Sequence, residues 1–334
     1  MNYNLSVKST EMKRKISIAF LTTQLGIFGS IRELLENANR LVRMGHDVTI
    51  YTQDGIHPMW MLCLAKVAKA GKMVPPTDVL VMMDSPFNYN MEVFEHSRAA
   101  FKTFIMMGFD DTTLKLVRRN GILVNEAPGQ SEADRNLLHI LRNYTICADA
   151  NWQLDHFRGF GIKTGVSIGG INLQQFRNHG TVRLNQVGYS GDRRTRKGLN
   201  NLLLALQKLP VSSDFYFGKR YDQWGIPCFL NNTMVFIDNH LRAGWCNPVL
   251  EAIACGCVCV CHDIPAVRDF AIDGVTAFVL QDNSPERFRA AIRDALANYN
   301  HYYSLFSRNS RDIVKAWDYE TVTKQFETFL LEQL

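Results

Sequence analysis

The chain has 334 residues, 46% of them hydrophobic, which excludes a disordered polymer and at ordinary domain size suggests two domains. Its net charge of +5 is spread evenly, with 19 basic against 16 acidic residues in 1–170 and 18 against 16 in 171–334. Neither half is a basic arm for wholesale nucleic-acid binding. No apolar run approaches the roughly 20 residues of a membrane span, and the opening MNYNLSVKSTEMKRK lacks the apolar core of a signal peptide. A cytoplasmic location follows, in which the eight cysteines stay reduced.

After a polar tail (1–14), KISIAFLTT (15–23) reads as an apolar strand. It is followed by the loop QLGIFGS, a helix in IRELLENANRLVRMG with Leu34, Leu35, Ala38, Leu41 and Val42 at helical spacing, and the strand DVTIYT (47–52). That is a βαβ unit, for which a right-handed crossover is expected. Further strands are expected at DVLVMM (78–83), FKTFIMMG (101–108), YTICAD (144–149) and TGVSIGG (164–170). Helices are expected at TTLKLVRR, EADRNLLHILRN and NWQLDHFRGFG. Residues 15–170 thus form a doubly wound α/β domain.

Residues 171–185, INLQQFRNHGTVRLN, are polar and irregular and read as a linker. The alternation then restarts: QVGYSG, a helix in GLNNLLLALQKL, DFYFG (214–218), MVFID (234–238), a helix in PVLEAIACG, CVCVCH, a helix in IPAVRDFAIDG, TAFVL, and helices to the end. Residues 186–316 make a second α/β domain, and residues 317–334 a terminal helix with Val322, Phe326, Phe329 and Leu330 on one stripe.

The run CVCVC (257–261) alternates and is bounded by Gly256 and His262-Asp263, which suits a buried strand. Cys257, Cys259 and Cys261 then share one face at about 6.6 Å spacing, too far apart for neighbouring thiolates to share a tetrahedral zinc. They are expected to act as small hydrophobes.

RAGWCNPVLEAIACGCVCVCHDIPAVRDFAIDGVTAFVL (242–280) resembles the signature of retaining nucleotide-sugar glycosyltransferases of the GT-B type, group 1 or family 4, written E-G-F-G-x-P-x-x-E-A-x-A-C-G, a strand, I-P-E-V, then D-G-x-x-G. Gly244, Pro248, Glu251, Ala252, Ala254, Cys255, Gly256, Ile264, Pro265, Val267, Asp273 and Gly274 fall in register. VSIGGINLQQF (166–176) is similar to the family's domain-crossing segment. IFGSIRELLENANRLVRMGHDVTIYT (27–52) is similar to its opening loop, helix and strand, and YSGDRRTRKG (189–198) to its basic loop. The resemblance implies two Rossmann-like domains facing across a cleft, with the terminal helix packed back on the first. It also implies transfer from a nucleotide-diphosphate sugar to a hydroxyl of a glycan or a lipid-linked glycan, the latter with peripheral contact at the inner membrane face.

In such a reaction, negative charge grows on the departing diphosphate, which helix N-termini and cations stabilise. Gly29 and Ser30 open one helix. Gly244, Trp245, Cys246, Asn247 and Val249 form the loop and first turn of another, with Asn247 expected as N-cap and Pro248 at N1. The resemblance places a Lys and an Arg of the basic loop on the phosphates. Lys197 matches the Lys, and Arg193 is assigned as the Arg, with Arg194 as substitute. Glu251 is implied to accept from the ribose hydroxyls, since a carboxylate suits a vicinal diol. A first-turn carboxylate on a helix dipole is the bland alternative. No Asp-x-Asp stands in a loop that would bind a divalent ion, so no metal and no cofactor is expected. The implied mechanism is front-face transfer, in which the leaving phosphate helps to deprotonate the acceptor.

Three departures stand out. Ala243 replaces the family's first motif glutamate, which contacts the transferred sugar. Gly108 stands where a sugar-contacting histidine is expected. The segment between Gly218 and Ala243 is too short for the strand and helix usually found there. His240 and Arg242 lie near the first gap. Asp110 follows the second and is assigned as a catalytic-site carboxylate, against an N-capping role on TTLKLVRR. Two other readings stay open: a DNA-base glycosyltransferase using the RRNG and RRTRK clusters, and a catalytically silent protein that binds a sugar nucleotide or a partner.

Overall fold

The structure, a computed structural model, describes residues 14–83, 88–108, 115–126, 131–191, 198–217 and 225–334. Two parallel sheets organise them. The first runs in the order β3 (Lys66–Lys69), β2 (Asp47–Thr52), β1 (Ser17–Leu21), β4 (Thr77–Met83), β5 (Ala99–Met106), β8 (Thr145–Ala148), β9 (Thr164–Ser167). The second runs β11 (Ser213–Phe217), β10 (Asn185–Gly191), β12 (Thr233–Asp238), β13 (Val258–His262), β14 (Phe278–Leu280). In both, the order doubles back on the first strand, which is the doubly wound arrangement expected from the alternation. The central strands are buried on both faces, which is why β1 and β4 read as continuous apolar runs.

The helices of the first half are α1 (Gly29–Arg43), α2 (Asn88–His96), α3 (Glu132–Asn143) and α4 (Asn151–Gly159). The second half adds α5 (Leu199–Leu206), α6 (Gly225–Asn231), α7 (Asn247–Ala254), α8 (Pro285–Ala297), α9 (Tyr299–Ala316) and α10 (Tyr319–Glu332). No regular element lies between β9 and β10. The chain crosses between the halves twice, and the crossings bond to each other: Ile171 N–H donates to Trp317 O at 2.9 Å and Tyr319 N–H to Ile171 O at 3.0 Å. α10 then lies on the first sheet, with Phe326 and Leu330 in one cluster with Leu34, Leu35, Val79 and Ile168. Polar ties fix its register: Arg40 to Glu320, His46 Nε2 to Glu327 Oε1 at 2.9 Å, and Thr323 Oγ1 to Asn37 Oδ1 at 2.9 Å.

Three expectations are corrected. TTLKLVRR is not a helix where it is described: β6 (Leu116–Arg119) pairs antiparallel with β7 (Ile122–Asn125). The turn is Asn120-Gly121, with φ of 49° and 81°. Two consecutive positive φ values are what a two-residue hairpin turn needs, and Asn-Gly supplies them. IPAVRDFAIDG holds only a 3-10 turn at Pro265–Val267. There Thr276 Oγ1 donates to Phe270 O and accepts from Ile272 N–H, closing a compact loop in place of a longer helix. The short segment after β11 does contain a helix, the seven-residue α6, which the composition of GIPCFLN did not announce.

The cysteine strand behaves as its alternation requires. Cys257, Cys259 and Cys261 pack in one core cluster, and Val258 and Val260 in the cluster on the opposite face. Burial pushes the Cys257 thiol up to about 11 and those of Cys259 and Cys261 well above the ordinary value.

A candidate donor site at the seam between two helix N-termini

α1 and α7 begin at the carboxyl ends of β1 and β12, and their first turns meet at the seam between the halves. Neither helix start has a side-chain cap, and neither carries an acidic residue in its first turn. The first turns of both helices therefore carry no acidic side chain of their own to offset the positive helix ends. Asn247 is not the N-cap: Cys246 holds that position, and the Asn247 amide is drawn across the seam instead, donating from Nδ2 to Glu33 Oε1 at 2.9 Å. Gly29 permits the approach, because a Cβ there would stand 3.3 Å from Asn247 Nδ2.

Glu251, one turn into α7, is 4% exposed. Its Oε1 accepts from Arg32 Nη2 of α1, so the carboxylate spans the seam. The Arg32 guanidinium also lies 5.6 Å from the centre of the Phe176 ring. Burial raises the Glu251 pKa, and Arg32 offsets part of that. Arg32 and Glu251 line a pocket with Glu36, Asn172, Phe176 and Tyr319.

A second cluster lies beside the first. Asp149, at the end of β8, accepts from Gly108 N–H through Oδ2 at 3.2 Å. Gly244 sits against both residues: a Cβ on it would fall 2.6 Å from Asp149 Oδ2 and 2.7 Å from Gly108 Cα. Trp152 Nε1 donates to Gly244 O at 2.7 Å, closing this part of the seam. Burial pushes Asp149 up to about 7, against the Gly108 N–H and the nearby Gln153 amide. Glu33 is raised well above the carboxylate range, first by burial and then by the neighbouring Asp149.

Of the residues assigned from sequence, Gly29, Ser30, Gly244, Trp245, Cys246, Asn247, Val249 and Glu251 all come to this seam or the turn that forms it. Their modes differ. The Trp245 ring is packed edge-on against Phe270, with its centroid 4.8 Å from Trp317, and Cys246 and Val249 are fully buried. Lys197, Arg193, Arg194 and Asp110 lie outside the described residues. His240 donates from Nδ1 to both Asp238 oxygens, at 2.7 and 2.8 Å. Together with Cys246 these two make a buried His–Asp–Cys grouping, the one set among the described residues with its donor atoms close enough for a metal ion. Arg32, Glu33 and Asp149 were not picked out from sequence. Arg-Glu directly after Gly29-Ser30 and an aspartate closing a parallel strand were the available signals.

Two doubly wound parallel domains, with strand carboxyl ends and helix N-termini turned toward a shared seam, define the GT-B class. Within it, residues 214–312 match the family model "Glycosyl transferases group 1". A comparison with curated protein sequences finds no match. Among solved structures, sucrose-phosphate synthase from Thermosynechococcus elongatus aligns with a TM-score of 0.76 at 13% identity, over 96% of this chain and 99% of that one. A glycosyltransferase from Rickettsia africae aligns at 0.71 and 12%, over 96% and 98%. Anabaena HepE in complex with UDP-glucose aligns at 0.69 and 12%, over 95% and 100%. At these identities the likeness is one of fold.

Proposed function

We propose that the protein transfers a sugar, with retention of anomeric configuration, from a nucleotide-diphosphate donor to a hydroxyl of a glycan or a lipid-linked glycan. The observation that carries this is the meeting of two helix N-termini without side-chain caps or first-turn acids, α1 and α7, at one seam of a GT-B fold. A diphosphate there would receive the N–H groups that nothing in the first turns of either helix now neutralises. Neighbours of the same fold have been solved with UDP-glucose and with UDP.

In this reading Lys197 and Arg193, or Arg194 in its place, hold the leaving phosphates, and Asp110 contacts sugar or acceptor. The backbone of Gly29, Ser30 and Gly244 to Val249 cradles the diphosphate. Glu251 serves the ribose through Oε2, since Oε1 is committed to Arg32. Cations replace a divalent metal on the phosphates. A lipid-linked acceptor and peripheral membrane contact are supported by the loop after β2, where Ile56, Met59, Leu62 and Leu64 are exposed and Lys66, Lys69 and Lys72 follow. Trp60 Nε1 ties that loop to Leu25 O at 2.9 Å, beside the entry to α1. A DNA acceptor is less well supported: Arg118 is spent on the carbonyls of Phe160, Gly121 and Gly161, and Arg119 pairs with Glu126.

The test is incubation with UDP-, GDP-, ADP- and dTDP-sugars in EDTA, with NMR of the products. Release of nucleotide from one donor, an α-linked product from an α-donor and indifference to EDTA are expected. No release from any donor would favour the silent binding protein. An inverted product or an EDTA block would remove retention or metal independence respectively. Lys197→Ala should lower turnover more than donor binding, because charge builds on the diphosphate as the bond breaks.

A further inference from the structure

The seam carries buried polar atoms that the chain leaves unbonded. Among the described residues Glu33 Oε2 and Asp149 Oδ1 have no hydrogen-bond partner, although the residues are only 2% and 4% exposed. The Gln153 amide is near enough to favour the Asp149 charge but makes no hydrogen bond to Oδ1. Gln153 Nε2 and Trp245 Nε1 are likewise buried without an acceptor. Unpaired groups of this kind are few in folded proteins, and each costs desolvation without return unless something fills it. Glu33, Asp149 and Gln153, from α1, the end of β8 and α4, are neighbours at this seam.

The place is specific. Asp149 Oδ2 is fixed by the Gly108 N–H and lies against Gly244, next in sequence to Ala243. Gly108 and Ala243 are the two positions where the motif comparison expects a sugar-contacting histidine and glutamate and finds neither. With Oδ2 held, Oδ1 is the oxygen left over. Glu33 is held in the same way, Oε1 by Asn247 and Oε2 free. A hydroxyl can donate to such an oxygen when the carboxyl is ionised or accept from it when the carboxyl is protonated, and it can also accept from the buried Gln153 amide.

We propose that Glu33 and Asp149 are the sugar-binding carboxyls of this protein, accepting hydroxyls of the transferred sugar in place of the motif glutamate lost at Ala243. The assignment rests on the donor reading above. The sugar sits where Glu33 and Asn247 now touch, so the halves part slightly to admit it, and its hydroxyls replace that direct contact. Specificity among sugars is then set by two carboxyls of the first domain.

The test uses Asp149→Asn and Glu33→Gln, which keep shape and lose acceptor charge. Calorimetry compares UDP-glucose, UDP-galactose, UDP-N-acetylglucosamine and GDP-mannose with UDP and GDP alone. Each variant should bind the bare nucleotide within about two-fold of wild type and lose about ten- to hundred-fold on the matching sugar nucleotide. Adding Ala243→Glu to Asp149→Asn should restore part of that loss, which a purely structural role would not do. Unchanged sugar-nucleotide affinity in both variants would overturn the assignment and leave the unpaired oxygens to buried water. So would an equal loss on UDP or GDP alone, or a loss confined to the acceptor. If wild type binds UDP or GDP but no sugar nucleotide, the sugar-site assignment fails on its own. If it binds no nucleotide of any kind, the donor reading fails first and takes this assignment with it.

Discussion

The strand β13 and the seam beside it are equally buried and are built on opposite terms. β13 and the residue before it hide three thiols and two valines in two apolar clusters, and burial holds the cysteines as neutral thiols. The seam hides Glu33 and Asp149 of one domain against the first turn of the other, and Glu251 of the other domain with the Arg32 guanidinium across from it, and several of its polar atoms have no partner among the described residues. Burial in β13 is stabilising at every side chain. Burial at the seam costs stability and holds in place groups that a ligand can use. The difference marks where the molecule is a scaffold and where it is a site.

Arg32→Ala should break that contrast most visibly. It strands the Glu251 carboxylate, and removing one partner of a buried pair costs about 3–5 kcal/mol. Arg32 is 18% exposed at its side chain, so the lower end, about 3 kcal/mol, is expected in urea denaturation. A loss below about 1 kcal/mol would show that the pair is solvated.

The pH dependence comes next. Asp149 titrates at about 7 in the folded protein and near 3.9 when unfolded. The folded state therefore holds the proton more tightly. The stability this contributes is complete below about pH 4 and is lost as the pH rises through 7. Glu33 is shifted the same way. Stability should fall by about 2 kcal/mol between pH 5 and pH 8, and the fall should flatten in Asp149→Asn. A wild type as steep as the variant would mean that Asp149 is ionised in place.

Cys259→Ser should cost about 1.5 kcal/mol, since it puts a hydroxyl in an apolar cluster, while Cys259→Ala should cost less than that. Equal costs would contradict the reading of Cys259 as a hydrophobe. The smallest effect is chemical. Alkylation of the native protein should label Cys228, which is exposed, and leave Cys257, Cys259 and Cys261 untouched until unfolding.

Much of the scaffold was legible because periodicity carries it: both sheets and the α3 boundaries follow from the alternation. The failures have local causes. TTLKLVRR reads as a helix, while the Asn-Gly that follows it, the turn between β6 and β7, is the stronger signal. Asn247 is not the cap because the helix begins one residue earlier than its sequence suggests, with Cys246 at the cap position, and the Asn247 amide donates to Glu33, far off in sequence. The loop before α7 was readable from a motif because its residues are contiguous. Arg32, Glu33 and Asp149 were not, since their meaning comes from an approach between domains that no single segment encodes.

The central claim is that this seam binds a nucleotide sugar. Titration calorimetry of wild type and Glu251→Gln against UDP-glucose and the GDP-, ADP- and dTDP-sugars tests it most directly. The account predicts saturable binding of one donor by wild type, and a loss of about ten-fold or more in the variant, whose neutral amide keeps the shape of the side chain. Equal affinity in wild type and variant would take Glu251 out of the site. No binding of any nucleotide sugar by wild type would contradict the account itself.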